Sequence, residues 1–259
     1  MTSTFDDRPA LVLAPGMLSD AAVWLPQAAA FSGELDIRVA HYGEARTLTD
    51  MARALLDQAP ARFALAAHSL GGRVAMEAAR LAPERLTGLC LISADPLPKP
   101  GGDAGLAETR ARYGMIAVAR EQGMAVLAER FIPAIVHPSR LGDESLIAPV
   151  RAMLLRQDAD SLERQIEAGE GRPDHADVLL AIKVPTILIC GAEDGFGRGP
   201  LQASMAALLS GAPTLLIDNC GHLPMLEAPE TVSRAMRAWL DQIASQSAAG
   251  ALRPDAAVC

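Results

Sequence analysis

Along the chain, short continuous apolar runs alternate with longer stretches in which apolar side chains recur at helical spacing. Residues 10–14, bounded by Pro9 and Pro15, predict a strand buried on both faces, and 21–31 predict a helix carrying Val23, Trp24, Ala28 and Phe31. The pair recurs, with strands expected over 35–40, 62–67 and 88–93 and helices over 49–58 and 70–82. Thr49 or Asp50 serves as the N-cap of the second helix, and Pro83 stops the third. Strands alternating with helices of this length imply an α/β fold, a parallel sheet covered on both faces.

The rhythm then breaks. Residues 96–183 contain no convincing strand, only helical stretches near 105–119, 123–131, 144–156, 161–168 and 176–182. Alternation resumes with a strand at 186–190, a helix near 201–210, a strand at 214–218 and a helix over 230–243. This organisation predicts a core of 1–95 and 184–246, a helical insertion at 96–183, and a flexible tail of Ala, Ser and Gly at 247–259.

Composition narrows the functions. The chain has 259 residues, 50% hydrophobic, 21% charged and 3% aromatic, which excludes general disorder. Its apolar runs are far below the roughly 18 residues of a membrane span, and Asp6 and Asp7 stand where a signal peptide would be basic. A cytoplasmic protein without membrane contact is expected. Cys90, Cys190, Cys220 and Cys259 lack paired spacing, so neither a disulfide framework nor a metal site is expected. A net charge of -8 argues against nucleic acid and leaves a small molecule as the expected partner.

The stretch Ala67-His68-Ser69-Leu70-Gly71-Gly72 stands where an apolar strand meets a helix. A serine on such a tight turn exposes its oxygen above the sheet, and Ala67 and Gly71 are the small neighbours the turn needs. The plainer reading is a serine N-cap. A hydroxyl nucleophile needs a base, and the base needs an orienting acid. Both types follow in order: Gly191-Ala192-Glu193-Asp194 after the fifth strand and Asn219-Cys220-Gly221-His222 after the sixth. Loops at the C-terminal ends of parallel strands open on one edge, where these groups can meet. Glu193 competes with Asp194 as the acid, and His41 and His68 compete with His222; His137 and His175 read as solvated or rim residues.

These motifs, with Ala14-Pro15-Gly16-Met17 and Leu226-Glu227-Ala228-Pro229-Glu230, resemble those of α/β-hydrolase-fold enzymes. The resemblance covers nearly everything except the insertion and the tail. It implies Ser69 as nucleophile, His222 as base, Asp194 as orienting acid, and the backbone N–H groups of Met17 and Leu70 as the oxyanion hole. It requires no metal and no organic cofactor. Relatives often carry His-Gly where this chain has Pro15-Gly16, so support for the oxyanion loop must differ. The start of the chain leaves no room for the two extra strands of many members, so about six mainly parallel strands are expected, in the order 2-1-3-4-5-6.

The insertion resembles the helical cap that roofs the pocket in this family. Gly16, Met225, Tyr113 and Phe131 are the expected pocket residues, in a mostly aliphatic and Met-lined space. Arginines at 110, 112, 120, 130, 140, 151, 156 and 164 read mainly as solvated helix faces beside Glu108, Glu121, Glu129 and Glu163; one or two turned inward would favour a carboxylated substrate. The resulting expectation is a serine hydrolase of a small carboxylic ester or lactone, working through an acyl-enzyme. The alternatives are a carbon-carbon hydrolase or a lyase of the kind that makes menaquinone precursors, and, from another class, a non-catalytic ligand receptor.

Overall fold

In the computed structural model, which describes residues 8–196 and 199–251, the apolar runs form one sheet of six parallel strands. They are β1 (Ala10–Ala14), β2 (Asp36–Val39), β3 (Phe63–His68), β4 (Leu86–Ile92), β5 (Thr186–Gly191) and β6 (Thr214–Ile217), ordered β2-β1-β3-β4-β5-β6. Number and order match the sequence expectation. β3, in the middle, is buried at every position, whereas the edge strands β2 and β6 keep part-exposed ones. That contrast follows from covering both faces of the sheet while leaving its edges in solvent.

Side chains alternate between two cores. Leu11, Leu13, Ala64 and Ala66 pack with α1 (Leu25–Phe31) and α11 (Pro229–Ala251), while Val12, Ala14, Leu65 and Ala67 pack with α2 (Leu48–Gln58), α3 (Leu70–Leu81) and α9 (Gly199–Leu208). Between β4 and β5 stand α4 (Gly102–Gln122), α5 (Met124–Ile135), α6 (Glu144–Leu155), α7 (Ala159–Glu170) and α8 (Ala176–Ala181). Gly123, at φ 87, separates α4 from α5 with a backbone angle that only glycine adopts freely. A short helix, α10 (Pro224–Glu227), precedes α11.

Three local expectations change. The stretch 21–31 is a 3-10 turn at Ala21–Trp24 followed by α1, because Pro26 lacks the N–H that a continuous helix would use. Thr47, not Thr49 or Asp50, caps α2 by accepting from the Asp50 N–H at 3.1 Å. The Ala- and Ser-rich segment after 243 continues α11 to Ala251, since alanine favours helix; the rest of the expected tail, 252–259, lies outside the described residues.

Candidate active site

At the junction of β3 and α3 the backbone of Ser69 takes φ 52 and ψ -115, a conformation costly for a residue with a Cβ. It fits only because its surroundings are small. A Cβ on Gly71 would strike the carbonyls of Ala14 and Pro15, and one on Gly72 would meet Ala94 Cβ. The Ser69 hydroxyl makes no capping bond to α3. Its Oγ lies 2.9 Å from His222 Nε2 instead, so the N-cap reading gives way.

His222 Nδ1 stands 2.9 Å from both carboxylate oxygens of Asp194, which is fully buried. Burial works against the Asp194 charge, yet the His222 ring and the Phe196 N–H, at 2.8 Å, hold this carboxyl well below the usual carboxylate range. Asp194 is therefore an anion that keeps a proton on Nδ1 and leaves Nε2 to accept one from Ser69. Glu193 is displaced from this role: its carboxylate is half exposed and accepts the Cys220 N–H at 3.1 Å. The loop carrying His222 is held by Glu227, whose Oε1 accepts the N–H groups of Gly221 and Leu223 at 3.0 and 3.2 Å. The other carboxylate oxygen accepts the His137 N–H from the helical block at 2.8 Å.

His68 lies beneath the site. Its Nε2 is 2.8 Å from the His222 carbonyl, its ring packs 4.8 Å from the His222 ring, and burial foremost pushes it down to about 3, so it is a neutral packing residue. His41 is exposed and distant. His137 binds Ser139. His175, expected at the rim, is buried against Glu77 of α3 because α8 folds onto that helix.

The oxyanion expectation concerns two N–H groups. Leu70 begins α3, so its N–H has no intrahelical acceptor, and among the described residues the Met17 N–H meets no protein acceptor. Both residues line the cavity beside Ser69. Sequence reading left open what supports the Pro15-Gly16 loop. Tyr42 donates its hydroxyl to the Pro15 carbonyl at 2.9 Å, and Gln165 of α7 accepts the Leu18 N–H at 2.8 Å. Gly16 packs against the ring of His68 and Ser69 Cβ, without forming cavity wall.

The cavity holds about 420 Å³. Met17, Met115, Phe131, Ile135 and Leu154 are among its apolar lining, and Phe196 stacks 4.9 Å from the His222 ring. Besides Gly16, two more of the expected pocket residues are elsewhere. Tyr113 is on the outer face of α4, 44% exposed, and Met225 is wholly buried in the core under the site, where its carbonyl accepts from Gln27. Of the eight arginines singled out in the insertion, Arg112 alone lines the cavity. Among the described residues two further arginines join it: Arg172, at the end of the insertion, and Arg73, on α3. Spacing could have found Arg73, which follows Ser69 by one helical turn. Nothing local singles out Arg172.

A parallel sheet presenting a serine–histidine–aspartate chain at its C-terminal edge defines a class of hydrolase. The chain belongs to the alpha/beta hydrolase family, whose pattern matches residues 4–235. Among curated proteins it is similar to a pimeloyl-[acyl-carrier protein] methyl ester esterase of Nitrosomonas europaea, 25% identical over 88% of this chain and 94% of that one. Among solved structures it resembles a thermophilic esterase from Thermogutta terrifontis, solved with malate bound, at 26% identity and TM-score 0.80 over 93% of this chain and 92% of that one. The enol-lactonase of Burkholderia xenovorans shares the fold at 20% identity and TM-score 0.78, over 91% and 92% of the two chains. Among the described residues no helix is long and apolar enough to cross a membrane.

Proposed function

We propose that the chain is a serine hydrolase that cleaves a small carboxylic ester or lactone through an acyl-enzyme, with the helical block between β4 and β5 as the roof of its pocket. The observation that carries this reading is the unbroken chain Ser69 Oγ, His222 Nε2, His222 Nδ1 and Asp194, every step 2.9 Å, opening on the cavity. The ester-cleaving relative supports the same reading.

Ser69 Oγ adds to the carbonyl carbon as His222 Nε2 takes its proton, and Asp194 stabilises the imidazolium. The N–H groups of Met17 and Leu70 receive the charge on the former carbonyl oxygen. Collapse breaks the carbon–oxygen bond, and the leaving alkoxide takes the proton from His222. In a lactone the released hydroxyl stays attached to the acyl group. Water then gives a proton to His222 and adds to the acyl carbon, and Ser69 leaves with that proton as the acid is released. The aliphatic part of the wall suits a short acyl chain, and among the described residues Phe131 and Phe196 are the only aromatics lining the space apart from its histidines.

The test is covalent labelling. A fluorophosphonate probe should modify Ser69, located by mass spectrometry, and Ser69→Ala should abolish labelling and lower kcat on p-nitrophenyl butyrate by roughly 10^4-fold or more. An unlabelled Ser69, under conditions where control serine hydrolases react, overturns the reading. Turnover of a vinylogous diketone acid far above that of any ester would move the chain to carbon-carbon cleavage.

A further inference from the structure

We propose that the cavity beside Ser69 recognises a free carboxylate on the substrate through Arg112, assisted by Arg73 and Arg172, so that the preferred substrate is a half-ester or an acidic lactone. This rests on Ser69 being the nucleophile of the reaction just described.

The charge balance of the cavity points to an anion. Among the described residues, three guanidinium groups, Arg73, Arg112 and Arg172, line it together with two carboxylates, Asp95 and Glu108. Among these described residues one positive charge is left over, in a cavity where the Arg112 side chain is about one third exposed. Arg73 is committed: it donates to Asp95 at 2.7 Å and to the Leu97 carbonyl at 2.7 Å. Arg172 is partly committed, to Glu108 at 2.7 Å and the Gly169 carbonyl at 3.0 Å, with its side chain only 7% exposed. Its Nε–H is buried and meets no acceptor within the chain. A buried donor on a charged group left in that state is costly.

Arg112 is the least committed. Its acidic neighbour is Glu108, at 3.5 Å, and that carboxylate already serves Arg172. Its other contact is Met17 Sδ at 3.7 Å, on the loop that offers the Met17 N–H to the reaction. Arg73 stands four residues after Ser69, in the first turn of α3, and lines the same cavity. Arg112 and Ser69 line one cavity, with Arg112 against Met17 of its wall, so the excess charge faces the site and not the outer surface.

A wholly structural role explains part of this cluster, because Arg73 and Arg172 each join roof or core groups by a short ion pair. It leaves Arg112 without a reason. Other arginines of the helical block face outward onto acids of their own: Arg120 meets Glu163 at 2.9 Å, Arg151 meets Glu129 at 2.6 Å and Arg156 meets Asp20 at 2.7 Å. Three guanidinium groups around two carboxylates leave the described lining one negative charge short, which an anionic ligand supplies. Burial, and then the neighbouring arginines, bring Arg73 down to about 10, and burial likewise depresses Arg112, so both remain charged near neutral pH. A single surplus positive charge matches a monoanionic carboxylate better than a phosphate dianion, and a planar carboxylate can take parallel bonds from a guanidinium fork.

The experiment compares monoethyl succinate with diethyl succinate. The unaltered enzyme should favour the half-ester in kcat/KM by at least about 10-fold, and Arg112→Gln should lower the half-ester rate by roughly 10- to 100-fold more than the diester rate, chiefly through KM. Equal losses on both esters, or a preference for the diester, overturn the proposal. Calorimetric titration with succinate reads the clamp without catalysis: binding should survive Ser69→Ala and weaken at least about 10-fold in Arg112→Gln. If Ser69 is not labelled and no ester is cleaved, the nucleophile reading fails while succinate binding that depends on Arg112 still upholds the clamp. Equal succinate binding by Arg112→Gln, or inorganic phosphate binding more tightly than succinate, overturns it.

Discussion

The two walls of the cavity are built by opposite means. On the sheet side, backbone sets position: Ser69 holds a positive φ, Gly71 and Gly191 stand where a Cβ would strike neighbouring carbonyls, and one buried carboxylate, Asp194, fixes one ring. On the helical side, side chains set the wall: Met115, Phe131, Leu154 and Arg112 line the cavity, while ion pairs such as Arg120 with Glu163 and Arg151 with Glu129 lie behind them, partly in solvent. The first wall has almost no alternative arrangement. The second is tied to the first at particular points, Gln165 to the Leu18 N–H and the His137 N–H to Glu227 among them, and its residues away from those points can change with little effect on Ser69, His222 and Asp194.

The contrast predicts a steep gradient of effects. Asp194→Asn should lower kcat by roughly 10^3- to 10^4-fold with the fold intact, because an amide no longer fixes the proton on Nδ1; steady-state kinetics with circular dichroism checks this. Next comes pH. His68 stays neutral in the fold down to about 3, whereas in the unfolded chain it protonates below about 6.5. Between those values the unfolded state binds more protons, so stability falls as pH drops through the window. His175, also depressed by burial, adds to the slope. Urea denaturation at pH 7 and pH 5 should show His68→Gln losing roughly 1 kcal/mol less per pH unit than the unaltered protein.

Gln165→Leu tests one of the places where the helical wall reaches the site, beside the bonds of Ile135 and His137 to the loop of His222. Without its bond to the Leu18 N–H, the oxyanion loop loosens, and kcat should fall about 10-fold with KM nearly unchanged. A change in KM alone would place Gln165 with substrate binding. Arg151→Ala should be smallest, below about 1 kcal/mol in thermal or urea unfolding, as for other half-exposed ion pairs. A larger loss would mean that the helical side is as exacting as the sheet.

What could be read from sequence follows the same division. Ser69, Asp194 and His222 were legible because each sits in a short motif whose geometry is local, and strand order placed their loops on one edge. The six strands were legible because their apolar runs are continuous. Tyr42, Gln165 and Arg172 were not, since each acts through a side chain reaching another element, and that depends on helix rotation. α4 shows the difficulty plainly: Gly105, Ile116 and Ala119 are its only buried residues, so no apolar stripe told Arg112, which faces the cavity, from Tyr113, which faces out. Phe131, on the apolar face of α5, does line the cavity.

The Glu227 carboxylate sets a rule for engineering the molecule. One of its oxygens holds the turn of His222, and the other holds the His137 backbone just past the end of α5. A chimera that exchanges the helical block for a foreign one must therefore present a backbone donor at the same point. Otherwise it leaves half of a buried carboxylate unpaired, and a graft meant to alter substrate choice would disturb the reaction centre through its hinge.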